Sequence, residues 1–225
     1  WAEAFRVNLK CPDIFNMVEI QDGNGQDYAG GSDASETLEN LIALIECPGT
    51  NYKPVNIDPI NNAEGGEPGG NIRVAMIYNA NRVGFEARGS SGSLTDTIIR
   101  PDGSLRVNPG RVSPNDPAFA GTRRSLIAEF TFRGERVFII GNHFNSKLGD
   151  ASRWDAVQPL NFRSEVRRDL LADKINDFVE LLTRLSPRAH ILVVGDFNSL
   201  VDEDSMKVLE GLHLRNLMNY GGLVA

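Results

Sequence analysis

The sequence predicts an α/β domain that contains mixed β-sheets. Apolar runs of strand length alternate with amphipathic stretches of helix length early and late in the chain, and a β-hairpin with a tight turn at residues 133–135 lies between them. We find no internal repeat and no linker that would separate two cores. We therefore expect one domain over residues 1–225, which is long enough to bury a sizeable core.

The expected elements follow from hydrophobic periodicity and from the turn residues between the runs. Residues 1–10 have the pattern of a helix end that Pro12 stops. Predicted strands cover residues 14–20, 72–78, 125–132, 137–140 and 190–194, and predicted helices cover residues 35–46, 164–185 and 204–209. The apolar stripe of the long helix consists of Leu170, Leu171, Ile175, Phe178, Val179 and Leu182. Residues 89–122 are rich in Gly, Ser, Pro and Asn, which predicts a long irregular flap.

Composition and charge bound the function classes. Hydrophobic residues make up 41% of the chain and charged residues 24%, as in ordinary globular domains, and no apolar run approaches the ~20 residues of a membrane span. The net charge of −7 is unfavourable for binding nucleic acid. Residues 71–168, however, carry 15 basic and 9 acidic side chains, and 14 of the 15 are Arg, the better planar donor for phosphate. We expect most of these arginines to be solvated surface charges.

The two cysteines, Cys11 and Cys47, are too few for a disulfide scaffold and lack the spacing of a metal site. Cys11 precedes the strand predicted at residues 14–20, and Cys47 follows the helix predicted at residues 35–46. If that helix packs antiparallel to the strand, both sulfurs lie at the same end of the sheet. From the sequence, a single bridge and two separate buried thiols both remain open.

Three of the predicted strands end in residue types that perform acid–base or metal chemistry. These residues are Glu19, His143 with Asn145, and Asp196 with Asn198. Each ending alone has a structural alternative: an ion pair for Glu19, a hydrogen-bonding role for His143, and a plain turn at residues 195–198. Three such endings in a chain without a serine or cysteine nucleophile motif favour a metal-assisted hydrolase.

The residue types suggest a division of roles in such a hydrolase. Mg²⁺ is a hard cation that binds carboxylate oxygens and can neutralise a phosphate. Asp196 would orient or deprotonate the attacking water, and Asn198 would hold that water or a phosphate oxygen. His143 would donate a hydrogen bond to the phosphoryl oxygen in the transition state.

Four motifs occur in a characteristic order along the chain. They are Asp13-Ile14 leading to Glu19, the strand from Ile72 to Tyr78, Asn142-His143-Phe144-Asn145, and Gly195-Asp196-Phe197-Asn198. Their order and spacing resemble those of the endonuclease/exonuclease/phosphatase (DNase I-like) superfamily. Residues 67–74 and 142–147 look typical of its bacterial extracellular-nuclease branch. The resemblance covers nearly all of the chain.

This resemblance implies a four-layer α/β/β/α sandwich of two mixed β-sheets flanked by helices. It also implies an extracellular or periplasmic endonuclease that depends on Mg²⁺ (or Mn²⁺ or Ca²⁺) and acts on DNA, with RNA as the lesser possibility. Glu19 matches the metal-binding glutamate, His143 the histidine that contacts the scissile phosphate, and the pair Asp196 and Asn198 the catalytic pair. The residues that we assign to substrate binding are Arg73, Asn145 and Lys147.

The sequence also departs from the family pattern. The superfamily opens with a strand that carries an active-site asparagine and closes with an Asp-His pair, and neither is found here. We therefore expect the domain to be incomplete at both termini, and this polypeptide alone to bind metal weakly and to have little nuclease activity.

Two rival functions remain from the sequence. One is a phosphatase or phospholipase C-type hydrolase of the same superfamily, and the other is a non-catalytic binding module that keeps the fold. We expect no membrane partner, and no obligate protein partner can be inferred.

Overall fold

Two β-sheets that pack face to face between helices make up the computed structural model, which describes residues 2–152, 154–160 and 162–219. The strands in this part of the chain are β1 (Ile14–Ile20), β2 (Tyr52–Val55), β3 (Arg73–Asn79), β4 (Gly84–Phe85), β5 (Gly110–Arg111), β6 (Leu126–Phe132), β7 (Glu135–His143) and β8 (His190–Asp196). The helices are α1 (Ser35–Ile45), α2 (Arg163–Leu185) and α3 (Asp204–Glu210). A π-helical turn at Ala4–Asn8 confirms the helix end expected before Pro12.

The two sheets differ in strand direction. The first sheet has the order β1-β3-β2 and is antiparallel within the described residues. The second has the order β4-β6-β7-β8, with β5 also paired to β6. It is mixed, because β7 and β8 run parallel and α2 forms the crossover between them.

Three apolar clusters hold the layers together. They form because successive side chains of a strand point to opposite faces of its sheet. On the outer face of the first sheet, Phe15 and Ile77 pack against Leu38 of α1. Between the sheets, residues of β3 meet residues of β6 and β7; they are Val74, Met76, Leu126, Ala128, Phe130 and Ile139. On the outer face of the second sheet, Phe138 and Ile140 pack against α2. The four-layer α/β/β/α sandwich is therefore confirmed.

Cys11 and Cys47 form a disulfide, with 6.0 Å between their Cα atoms. The bridge joins the segment before β1 to the residues after α1. The sulfurs meet because α1 packs antiparallel to β1, which decides between the two alternatives that the sequence leaves open.

The segment predicted to be irregular, residues 89–122, is largely irregular in the structure, but it packs into the core and does not form an open flap. Leu105, Val112 and Phe119 are fully buried in the cluster that also contains α2. It includes β5 and short bridges between residues 96 and 111 and between residues 99 and 105. Its apolar residues are too widely spaced to show a period, so the sequence pattern conceals a segment that belongs to the core.

Burial departs in two places from what the apolar runs alone would indicate. Within the described residues, β8 lies at the edge of the second sheet, and Leu192 is 42% exposed. In α2, Leu170 is exposed whereas Leu171, Ile175, Val179 and Leu182 are buried. None of the described helices is both long enough and apolar enough to traverse a lipid bilayer.

Removing the disulfide tests its contribution to stability. Replacement of Cys11 and Cys47 by alanine should lower the free energy of unfolding by roughly 3–4 kcal/mol. The bridge closes a loop across a separation of 36 residues and thereby reduces the conformational entropy of the unfolded chain. Urea denaturation under oxidising conditions measures the change. Dithiothreitol should destabilise the wild type and leave the double variant unaffected. Equal stability of the two proteins would mean that the bridge does not constrain the unfolded chain.

Candidate active site

The parallel pairing of β7 and β8 brings two of the sequence motifs together. The register places Asn142 opposite Gly195 and His143 opposite Asp196. Parallel strands end at the same edge of a sheet, so the polar residues that follow both strands meet there. The backbone N–H of Phe144 donates to the carbonyl oxygen of Asp196 at 2.9 Å, which continues the pairing past the strand ends.

Gly195 permits this close approach. Its φ of +135° is one that L side chains rarely adopt, and a Cβ there would lie 2.0 Å from the carbonyl oxygen of Asn142. The fully buried Asn142 amide donates to Ile140 O at 2.9 Å and to Val194 O at 3.3 Å. The glycine and the amide therefore fix the ends of β7 and β8 relative to each other.

The turn after β8 fixes Asp196 and Asn198. Asn198 has a φ of +51°, a conformation that asparagine tolerates better than most residues. Its backbone N–H donates to Asp196 Oδ1 at 2.9 Å, and its Nδ2 donates to Phe144 O at 3.1 Å. The carboxylate of Asp196 is exposed at the sheet edge, while Asn198 uses one of its two amide N–H groups to hold the β7 segment in place.

A β-bulge in β1 delivers Glu19 to the same edge. Met17 pairs with Ala75 and Ile20 with Arg73, so β1 has one more residue than β3 over this interval. Phe15 and Met17 face α1, and without the bulge Glu19 would face α1 as well.

The extra residue reverses the alternation at the end of β1. Glu19, at a φ of +59°, reaches towards the second sheet, with its Oε1 3.8 Å from His143 Nε2. A left-handed glutamate costs conformational energy, and such strain is concentrated at functional sites. The Glu19 side chain is 67% exposed, so its carboxylate is accessible to a ligand.

His143 is buried at the base of this arrangement. Burial lowers the pKa of its imidazole below the usual value, and the positive charge of Arg123 lowers it further, while Asp196 and Glu19 oppose the shift. Nδ1 is buried without a hydrogen-bond partner within the described residues. Because the pKa is lowered, His143 is neutral near pH 7, and its imidazole carries a single N–H.

Arg123 belongs to the site, although the sequence did not single it out. Its Nη2 donates to Phe144 O at 2.8 Å. Burial lowers the pKa of its guanidinium, and the negative charges of Glu19 and Asp196 raise it, so both carboxylates lie within its electrostatic range. Nothing in the sequence distinguishes Arg123 from the other arginines among the 14 in residues 71–168. Its position at the candidate site depends on how the chain folds.

The structure places Asn145 and Lys147 just beyond the site. Asn145 is half-buried, its carbonyl accepts from Arg168 Nη1 at 3.4 Å, and its side-chain Oδ1 has no partner in the described part of the chain. Lys147 forms an ion pair with Glu203 at the start of α3. Both residues therefore remain candidates for substrate contact.

The structure buries Arg73, which we assigned to substrate binding, and bonds it to neighbouring loops. Its side chain is 1% exposed and its Nη1 pairs with Asp58 Oδ1 at 2.6 Å. Nε and Nη2 donate to Asn71 O, and Nη1 also donates to Ser32 O. The guanidinium ties together the loops that precede β3 and α1, because four of its five N–H groups have protein acceptors. Among the described arginines of residues 71–168, four more are buried: Arg111, Arg123, Arg124 and Arg168.

The oxygen ligands at this edge of the sheet suit a cation that keeps most of its waters, not one that is enclosed entirely by protein ligands. Among the described residues no three His, Cys, Asp or Glu side chains converge as a metal site. Glu19 offers an exposed carboxylate whose Oε1 lies 3.8 Å from His143 Nε2, and Asp196 offers a second exposed carboxylate at the sheet edge. Mg²⁺ commonly binds through one or two carboxylates, keeps several waters and adds substrate phosphates. The residues present therefore fit Mg²⁺ held chiefly by Glu19 and solvent.

Comparison with known proteins identifies the fold. No family model and no curated protein matches the sequence. The human Nocturnin catalytic domain superposes with a TM-score of 0.52 at 12% identity, over 94% of this chain and 60% of that one. A truncated Caenorhabditis elegans TDP2 gives 0.50 at 16% identity, over 90% of this chain and 55% of that one. ANGEL2, described as a 2',3'-cyclic phosphatase, gives 0.50 at 13% identity, over 93% and 46%.

The chain has the DNase I-like fold. These identities show the fold alone, and this chain spans about half the length of the solved structures that it matches. The DNase I-like architecture agrees with the two sheets and flanking helices described above. Because a fold of this kind hosts many functions, the function has to be argued from the site.

The structural role of Arg73 can be tested by substitution. Arg73→Met should lower the free energy of unfolding by about 1–3 kcal/mol, because the carbonyl groups of Asn71 and Ser32 lose their donors inside the protein. Urea denaturation measures this. Arg82→Met is the matched control, since Arg82 pairs with Asp13 at the surface, where an ion pair contributes ~0–1 kcal/mol. An Arg73 variant with wild-type stability and weakened oligonucleotide binding would restore the substrate role.

Proposed function

We propose that this protein is a divalent-metal-dependent phosphodiester hydrolase, and specifically an extracellular endonuclease that acts on DNA. The observation that carries the proposal is the meeting of three strand ends. His143 and Asp196 are paired across β7 and β8, and Glu19 reaches His143 from the other sheet at 3.8 Å. A neutral imidazole between two carboxylates at an open sheet edge suits attack by water on a phosphodiester.

The reaction proceeds by direct attack of water, since none of the described residues that meet at the site is a serine or cysteine placed as a nucleophile. Asp196 accepts a proton from the water, whose oxygen attacks phosphorus as the bond to the leaving oxygen breaks, and the leaving oxygen takes a proton from solvent to give the alcohol. The N–H of neutral His143, when it resides on Nε2, donates to a phosphoryl oxygen as negative charge develops. The guanidinium of Arg123, which donates to Phe144 O and lowers the pKa of His143, adds positive potential in the same region.

Glu19 would hold the metal. When bound, Mg²⁺ would neutralise phosphate charge and help to activate water. The bulge fixes the direction of the Glu19 carboxylate, and its exposure leaves room for the waters and phosphate oxygens that complete the coordination of Mg²⁺.

Two features support an extracellular nuclease. The Cys11–Cys47 disulfide suits an oxidising compartment outside the cytoplasm. The exposed arginines of residues 71–168 offer planar donors to a polyanion, within a chain whose overall charge is −7. ANGEL2 is described as a 2',3'-cyclic phosphatase, which is consistent with phosphoester chemistry on this fold.

The test uses the protein as its whole gene encodes it. Supercoiled plasmid, RNA and p-nitrophenyl phosphate are offered with Mg²⁺ and with EDTA. We expect Mg²⁺-dependent nicking of plasmid, and His143→Ala and Asp196→Ala should each reduce it by about 10²–10⁴-fold, because each removes a proton-transfer or charge-stabilising group. The matched control is His190→Ala, an exposed histidine at the other end of β8; it should retain activity. Nicking that survives Asp196→Ala, or hydrolysis of the phosphomonoester alone, would contradict the proposal.

A further inference from the structure

A cleft of about 400 Å³ opens next to the candidate active site. Its lining includes Lys147, Asp150, Phe162, Glu165, Arg168 and Glu203. Lys147 follows His143 by four residues, and Arg168 Nη1 donates to the carbonyl of Asn145, so the wall of the cleft is tied to the active-site segment. A substrate whose phosphate reaches His143 would extend its neighbouring nucleotide into this region.

The cleft lies at the base of a loop that carries a large exposed aromatic side chain. We call this the Trp154 loop; it is described at residues 151–152, 154–160 and 162. Asp150 accepts from the backbone N–H of Ser164 at 2.9 Å and from its hydroxyl, which clamps the two ends of the loop together. Both ends, Ala151 and Phe162, line the cleft.

Turns within the Trp154 loop keep its backbone folded. The N–H of Asp155 donates to Ser152 O at 2.9 Å, and the side chain of Gln158 donates to Asp155 O at 3.1 Å. Trp154 nevertheless stands 93% exposed. An exposed indole leaves a large apolar area in contact with water. Exposed aromatic side chains are also the groups on which nucleobases stack in proteins that bind single-stranded nucleic acid.

The net charge of the cleft favours binding of a nucleobase over binding of a second phosphate group. Lys147 and Arg168 are both paired with Glu203. Asp150 and Glu165 add two more carboxylates, so the lining is net negative. A phosphate or an anionic lipid headgroup would be repelled there, whereas the ring and amide N–H groups of a nucleobase would find acceptors.

We propose that this cleft and the Trp154 loop bind an unpaired nucleobase next to the scissile phosphate, with Trp154 and Phe162 as stacking surfaces. The proposal rests on the proposed nuclease function and narrows its substrate to nucleic acid with unpaired bases. Bases inside a duplex are stacked on each other and cannot enter, so single-stranded or locally melted DNA is preferred.

The experiment separates base recognition from phosphate binding and from catalysis. Binding of a fluorescent twelve-nucleotide oligothymidylate is compared, in EDTA, with that of an abasic strand of the same length and charge. Wild type should prefer the strand with bases by about tenfold or more. Trp154→Ala and Phe162→Ala should bring the ratio close to one, and Trp154→Phe should keep most of it.

Leu148→Ala is the matched control. Leu148 is 92% exposed in the same segment but has no aromatic face, so the preference should remain. Equal binding of both strands by wild type, or an unchanged preference in Trp154→Ala, would overturn the proposal. So would Trp154-dependent binding to phosphatidylcholine–phosphatidylserine vesicles or Trp154-dependent dimerisation in place of base preference. His143→Ala should lose hydrolysis and keep the base preference, which distinguishes failure of the nuclease assignment from failure of this one.

Discussion

The in-register parallel pairing of β7 with β8 is the constraint on which the candidate site depends. It sets His143 opposite Asp196, and it requires Gly195, because any Cβ there would collide with the carbonyl of Asn142. The α2 crossover covers this pair of strands on one face and supplies the apolar contacts of Phe138 and Ile140. The residues proposed for catalysis are thus held by rigid elements, because Glu19, His143 and Asp196 lie within β1, β7 and β8.

The candidate site also requires that the side chains of β1 change from one face of the sheet to the other before Glu19. A regular strand would aim Glu19 at α1, where a carboxylate would face apolar neighbours at a cost in free energy. The bulge turns Glu19 towards His143, and the left-handed backbone of Glu19 is the local cost. Buried arginines stabilise the surrounding irregular segments in a comparable way. Arg73 bonds to the loops before β3 and α1, and burial of Arg111 lowers its pKa to about 10 while it donates to the carbonyls of Ile57 and Arg124.

Helices, strands and candidate site residues could be predicted from the sequence where hydrophobic periodicity was regular and where polar residues followed an apolar strand. The hairpin of β6 and β7, the helix α2 and the approach of His143 to Asp196 were all predictable from apolar runs followed by polar residues. Arg123 was not, because its place in the site depends on how distant backbone segments meet. The packing of residues 89–122 into the core was not predictable, since a core segment without regular spacing resembles a loop. The bonds of Arg73 to neighbouring loops were not predictable either, because a charge within a strand looks the same in sequence whether it faces substrate or holds loops together.

Phosphate should bind where the ends of β1, β7 and β8 meet. A crystal structure of the protein with Mn²⁺ and a non-hydrolysable phosphorothioate dinucleotide would locate both groups. We expect anomalous density for Mn²⁺ at the carboxylate of Glu19 and a phosphoryl oxygen within hydrogen-bond distance of His143 Nε2. A phosphate bound elsewhere, with no contact to His143 and no metal at Glu19, would contradict it.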